Sequence, residues 1–235
     1  MENKWLDSSL PFLAFLNEWY GQLANETLST LIDDPGRTAV ISVDVINGFC
    51  YEGPLSSPRV KQIIDPITKL LIKVWGAGVR EIVLTQDTHV ANAVEFGQYP
   101  PHCVRGTSEA ETVPEIEALP FYDRMTIIEK NSIHSGLDTG LSDWISDHPK
   151  IDRFIIVGDC TDLCTYQLAM HLRLEANARQ LDRKVIVPVD CVDTYDLPVQ
   201  IAQDIGAVPH DGDLLHRVFL YSMMLNGIEI YAKII

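Results

Sequence analysis

The chain has 235 residues, with 18 Lys and Arg against 33 Asp and Glu, a formal net charge of −15, and 46% hydrophobic residues. That apolar share excludes a disordered chain, and no apolar run reaches the roughly 20 residues that span a bilayer. The acidity argues against a nucleic-acid partner, whose phosphates it could not neutralise, and otherwise reads as solubility.

The N-terminal MENKWLDSSL carries acidic residues and no apolar core ahead of a small-residue cleavage site, so no signal peptide is expected. The five cysteines, Cys50, Cys103, Cys160, Cys164 and Cys191, are odd in number, scattered, and form no CxxC pair. This argues against a zinc knuckle and for reduced thiols in a cytoplasmic protein.

Residues 1–36 read as an N-terminal helical extension, with Leu13, Leu16, Trp19, Tyr20 and Leu23 at helical spacing and Asp33-Asp34-Pro35-Gly36 expected to end it. It is expected to pack on the domain or on a partner subunit. Apolar, β-branched runs at 38–45, 80–87, 125–130, 153–159 and 184–190, with 229–235 as a sixth, then read as strands buried on both faces. Helical patterns at 58–76, 139–148, 162–180, 197–205 and 212–226 lie between them. The alternation predicts an α/β fold, a three-layer α/β/α arrangement with a mostly parallel central sheet of about six strands. No repeat or linker interrupts it, so residues 1–235 read as a single domain. The longest irregular segment, 88–120, is of a length that is usually functional or disordered; it holds His89, Tyr99, His102 and Cys103, which favours function.

Ligands of parallel sheets bind beyond the carboxyl ends of the strands. There the sequence places Asp44, Asp87, Lys130 and the turn Gly158-Asp159-Cys160-Thr161-Asp162-Leu163-Cys164. Each alone is unremarkable, since carboxylates often cap helices; together they read as a site. Cys164 falls in the first turn of the helix 162–180, where the macrodipole and free N–H groups favour a thiolate and could cradle an oxyanion. Lys130 nearby would lower the thiol pKa further, and Asp44 could hold Lys130 and move a proton. On position alone, Cys164 reads equally well as a small core residue.

A second group is D-x-H followed by a histidine in the long loop: Asp87, His89 and His102, with Glu95 as a possible fourth ligand. One carboxylate and two imidazoles suit zinc, iron or manganese, although loop histidines are common without a metal. His134 reads as a surface residue, and Asp190, His210 and His216 receive no role.

These residues are similar to those of the isochorismatase-like cysteine hydrolases and, within them, of the nicotinamidases. The segments that carry the resemblance are VISVDVINGFC, TQDTH with YPPHCVRGTSEAETVP, IIEKNS and VGDCTDLCTYQLA, which together span most of residues 38–226. The resemblance implies hydrolysis of nicotinamide, or a related aromatic amide, to the acid and ammonia through a Cys thioester. Asp44, Lys130 and Cys164 would be catalytic, and the N–H groups of Cys160 and Cys164 the oxyanion hole, with a cis peptide between Asp159 and Cys160. One divalent metal, zinc in first place with iron or manganese as alternatives, would be held by Asp87, His89 and His102 and would orient the ring. Phe49 and Tyr99 would stack on the substrate, and relatives are often homo-oligomers. Thr88 stands where many relatives have an aromatic residue, Tyr99 where Trp is frequent, and no further histidine lies between His89 and His102, where Glu95 could substitute. Two other readings stay open: an amidohydrolase of the same superfamily acting on a ureido, carbamoyl or maleamate-type amide, or a non-catalytic relative that binds ligand.

Overall fold

The computed structural model describes residues 4–235. Helix α1 (Lys4–Gly21) leads to strand β1 (Asn25–Glu26), helix α2 (Leu28–Leu31) and strand β2 (Thr38–Val43). Helices α3 (Asn47–Cys50), α4 (Pro58–Gln62) and α5 (Ile64–Gly76) precede β3 (Glu81–Asp87). A long connection containing α6 (Pro114–Glu117) reaches β4 (Thr126–Lys130), and α7 (Leu141–Asp147) precedes β5 (Arg153–Asp159). There follow α8 (Cys164–Arg179), β6 (Lys184–Pro188), β7 (Val192–Asp193), α9 (Val199–Ile205), α10 (Gly212–Leu225), β8 (Glu229–Tyr231) and β9 (Lys233–Ile234).

The main sheet has the order β4-β3-β2-β5-β6-β8, with β7 beside the end of β5, and every pairing is parallel. It holds seven strands rather than six, because β7 has two residues and leaves no periodic pattern to read. The chain steps outward from β2 to β4, then returns to the opposite side of β2 as β5. The connections after β2 and β5 therefore part in opposite directions, and ligands of such sheets bind where they part.

Side chains alternate along each strand, so every central strand feeds two apolar layers. Val40, Ile82, Leu84, Ile155 and Val157 pack with Ile67, Leu70, Leu71 and Val74 of α5 and Ile116 of α6. Ala39, Ile41, Val43, Phe154 and Ile156 pack with Leu141 of α7, Leu168 and Leu172 of α8, and Leu220 and Met223 of α10. Burying each such side chain contributes about 1.5–3 kcal/mol.

Several boundaries differ from those expected. The helix at 58–76 is two helices that meet at Ile63, because Pro66 has no N–H to give to the carbonyl four residues earlier. The N-terminal helix ends at Gly21, not at Asp33-Asp34-Pro35-Gly36; Asp34 instead accepts the Gly36 N–H to cap a short 3-10 turn that enters β2. Glycine is a common helix stop. The terminal run 229–235 splits at Ala232, whose N–H bonds Ala24 O at 2.8 Å, and β9 leaves the main sheet to pair with β1. Helix α1 rests on α10, with Phe12, Phe15 and Trp19 edge-on to Tyr221, while Trp5, Leu10 and the outer side of Phe15 stay exposed.

Gly158 fixes the spacing of β2 and β5 at the carboxyl edge. Its φ is +112°, and a Cβ there would lie 2.0 Å from Val43 O. Gly158→Ala is therefore expected to cost on the order of 4 kcal/mol or to prevent folding, read as a fall in thermal midpoint. A variant as stable as the parent would show that β2 can move aside.

Candidate active site

Asp44 immediately follows β2, with a φ of +55° that aims its carboxylate across the strand ends. Its own N–H bonds Thr85 O at 2.9 Å and its Oδ1 accepts the Asp87 N–H at 2.8 Å, which ties β2 to β3 twice. Asp87 ends β3 and Lys130 ends β4, and the parallel register sets these two side by side. The Lys130 Nζ, wholly buried, lies 2.8 Å from Asp44 Oδ2 and 2.6 Å from Asp87 Oδ1. It also lies 3.2 Å from Ser132 O and 3.7 Å from the Cys164 Sγ. Asp44, Asp87 and Cys164 each offer an atom within 4.8 Å of the others. The residues expected from three strand ends and the nucleophile turn thus meet at one point.

The electrostatics follow from burial. Burial alone would strip Lys130 of its proton, but the two carboxylates outweigh it and hold the ammonium well above its usual range. Burial raises Asp44 to about 7, helped by the Asp87 charge and opposed by Lys130. For Asp87 the Lys130 charge and the neighbouring His89 overcome burial and keep the carboxyl below its usual range. The Cys164 thiol goes up, because burial exceeds the opposing pull of Lys130. This corrects the expectation of a thiol already lowered by the helix terminus and Lys130. The resting pair is a thiol beside a carboxylate that titrates near neutrality, which makes Asp44 the base that can take the Cys164 proton.

The turn after β5 presents its donors as expected, and the Asp159–Cys160 peptide is cis. Thr161 N–H goes to Asp193 O at 3.0 Å, and the N–H groups of Leu163 and Thr165 both go to Cys160 O. Among the described residues the N–H groups of Cys160 and Cys164 have no acceptor from the turn or from a side chain. Two donors beside the thiol are what a developing acyl oxyanion requires.

Asp87 also faces the two histidines. His89 donates Nδ1–H to Asn131 Oδ1 at 3.2 Å and His102 donates Nδ1–H to Pro100 O at 2.9 Å. Each ring is thereby set in the tautomer that leaves Nε2 as a lone pair. Nε2 of His89 lies 3.5 Å from Asp87 Oδ1, and Nε2 of His102 lies 4.0 Å from Asp87 Oδ2. The His89 Nε2 is buried without a hydrogen-bond partner among the described residues. An orphaned imidazole nitrogen beside a second imidazole and a carboxylate, all within 4.8 Å, fits a divalent metal and has no other evident purpose. Glu95 reaches 4.0 Å from His89 Nε2 but is not one of the three tightly grouped ligands. The segment 88–120 is well ordered around this point: His89 N–H bonds Cys103 O and Arg105 N–H bonds His89 O, each at 2.9 Å.

Aromatic rings surround His102. Phe49 stands 5.7 Å and Tyr99 6.2 Å from it, centroid to centroid. Phe96, which carried no sequence signal beyond its loop, stands 5.6 Å away and 5.4 Å from His89. Asn131 was likewise missed, although its place directly after Lys130 at a strand end was a cue. His134 is half-buried rather than on the surface, accepts the Gly136 N–H at Nδ1, and meets His171 edge-on, away from this cluster. His216, which had no assigned role, bonds Thr161 Oγ1 through Nδ1 at 2.9 Å and Tyr20 Oη through Nε2 at 3.3 Å; burial pushes it down to about 4, so it is neutral. All five cysteines are buried and unpaired.

Residues 38–202 match the Isochorismatase domain family. The chain belongs to that family. It is 28% identical over 225 residues to nicotinamidase 1 of Arabidopsis thaliana, covering 87% of this chain and 89% of the relative. A pyrazinamidase of Pyrococcus horikoshii in complex with zinc has the same fold, with a TM-score of 0.65 at 24% identity, over 83% of this chain and 98% of the other. So has an N-carbamoylsarcosine amidase of Thermoplasma acidophilum, with a TM-score of 0.62 at 19% identity, over 83% and 95%. Among the described residues no helix is long and apolar enough to cross a membrane.

Two predictions follow from the geometry. Asn131→Ala is expected to weaken divalent-metal affinity roughly 10- to 100-fold, measured by competition with a chelator, because His89 loses the partner that fixes its tautomer. An unchanged affinity would separate Asn131 from the metal. The rate at which iodoacetamide alkylates Cys164 is expected to rise with pH through about 7, as Asp44 ionises and can accept the thiol proton. Asp44→Asn should move that rise to much higher pH; an unmoved profile would mean another group takes the proton.

Proposed function

We propose that this isochorismatase-family amidohydrolase is a nicotinamidase, converting nicotinamide and water to nicotinate and ammonia. The observation that carries the reading is the contact of Asp44, Asp87, Lys130 and Cys164, delivered by three strand ends and the turn after a fourth, directly beside two histidines whose Nε2 atoms have no hydrogen-bond partner among the described residues. Asp44 takes the Cys164 proton, and the thiolate attacks the amide carbon. The carbonyl oxygen becomes an oxyanion, received by the N–H groups of Cys160 and Cys164, while Lys130 balances the carboxylates around the shifting charge. Asp44 returns the proton to the amide nitrogen as the C–N bond breaks and ammonia leaves. Water then adds to the thioester, giving its proton to Asp44, and the acid departs as the thiol re-forms.

A divalent ion held by Asp87, His89 and His102, with zinc the first choice, would supply a Lewis-acid anchor for a pyridine nitrogen. Phe49, Phe96 and Tyr99 around His102 support a flat aromatic ring as the bound group. Their rings weigh against the carbamoyl-amide alternative, whose substrates have no ring to stack. The unpaired cysteines support a reducing, cytoplasmic setting. The exposed apolar residues Trp5 and Leu10 on α1 support a homo-oligomer.

Ammonia release from nicotinamide by the purified protein, with bound metal quantified and mass read by sedimentation, tests the reading. Wild type should turn over with about one metal per chain, and Cys164→Ala should lose about 10³-fold or more of kcat while staying folded. Full activity in Cys164→Ala would refute the thioester route. Activity on N-carbamoyl amides but not on nicotinamide would move the protein to the other branch of its family.

A further inference from the structure

The nucleophile turn is gripped by His210, a residue without a role in the sequence pattern. Asp162 sits inside the turn, between Cys160 and Cys164, whose N–H groups have no acceptor from the turn or from a side chain among the described residues. Its Oδ2 lies 2.8 Å from Nε2 of His210, and both side chains are more than nine-tenths buried. The other ring nitrogen of His210, Nδ1, lies 2.9 Å from the backbone carbonyl of Tyr195. The Tyr195 ring stacks on the imidazole at 3.8 Å and 20°. His210 is also paired through its backbone, with its N–H on Leu197 O at 2.9 Å and its carbonyl on the Leu197 N–H at 2.7 Å.

Both atoms facing the ring can accept, and the two contacts fix the ring between Tyr195 O and the Asp162 carboxylate. The carboxyl lies below its usual range: burial would raise it, but the contact with His210, with smaller contributions from Thr194 and the backbone, together outweighs burial. A buried ion pair adds little net stability over an apolar replacement, and its better-attested use is to fix one conformation among several. Here the conformation that is fixed is that of the residues carrying the nucleophile and its two donors.

We propose that His210 is a positioning residue for Cys164: through Asp162 it holds the turn from Asp159 to Cys164 so that the thiol and the N–H groups of Cys160 and Cys164 address the same acyl group. His210 touches no reacting atom, and its effect passes through Asp162. The inference rests on the amidohydrolase reading of this turn.

The two contacts of His210 can be separated, because asparagine places its amide N–H near the position of Nδ1 and glutamine near that of Nε2. His210→Asn keeps the donor to Tyr195 O and loses Asp162; His210→Gln keeps the donor to Asp162. With nicotinamide as substrate, H210N is expected to lower kcat roughly 10-fold or more at nearly unchanged KM, whereas H210Q stays within about 3-fold of the parent. The rate of Cys164 alkylation by iodoacetamide, followed by mass spectrometry, should fall in H210N and persist in H210Q. Equal values in the two variants, whether both like the parent or both reduced, overturn the proposal, since a merely structural histidine would not distinguish its two nitrogens. If H210N does not fold, Asp162→Asn against Asp162→Ala reads the same contact from the other side; the Asn variant keeps an acceptor and should keep activity, and equality of the two overturns the proposal. If the parent leaves nicotinamide untouched, the substrate reading fails, and the alkylation ratio still decides the role of His210.

Discussion

A single ammonium organises this site. Lys130 enters the interior with its charge, at a desolvation cost that is recovered only because Asp44 and Asp87 both close on it. Removing any one of the three would strand a buried charge, a loss of about 3–5 kcal/mol in comparable pairs. The arrangement also divides labour between two chemically identical residues. Asp44 feels burial and the second carboxylate and is driven to about 7, where it can exchange a proton; Asp87 keeps its charge and turns toward the histidines. The pKa difference needed for acid–base work comes from placement around one cation.

Asp87 links the two halves of the site. Its Oδ1 faces Lys130 and its Oδ2 faces His102. Asp87 thus belongs both to the cluster around Lys130 and to the group of residues that could hold a metal.

Much of this was legible in the sequence because the rules involved are local. Buried parallel strands advertise themselves as apolar runs, and a charged residue closing each run, as Asp87 and Lys130 do, marks the sheet edge where ligands bind. The three-layer fold and the convergence of Asp44, Asp87, Lys130 and the turn before Cys164 were readable on that basis. Thiol acidity was not, because the local argument from the helix terminus ignores how completely the fold buries Cys164. Asn131 acts on a residue 42 positions away, and His210 on one 48 positions away; no periodicity relates such partners. The break at Pro66 and the stop at Gly21 were visible, but a long apolar periodicity overrode them in the reading.

The pairing of β1 with β9 has a consequence for biosynthesis. Helix α1 and strand β1 find their partners far along the chain: α1 rests on Tyr221 of α10, and residues 25–26 zip against residues 233–234. Until residues 212–225 are made, the aromatic residues of α1 lack their partner Tyr221. Contacts of such long sequence separation form late. The nascent protein thus passes through an interval in which Phe12, Phe15 and Trp19 are open to chaperones or to a neighbouring nascent chain. Loss of residues 233–234 would leave β1 without its partner strand.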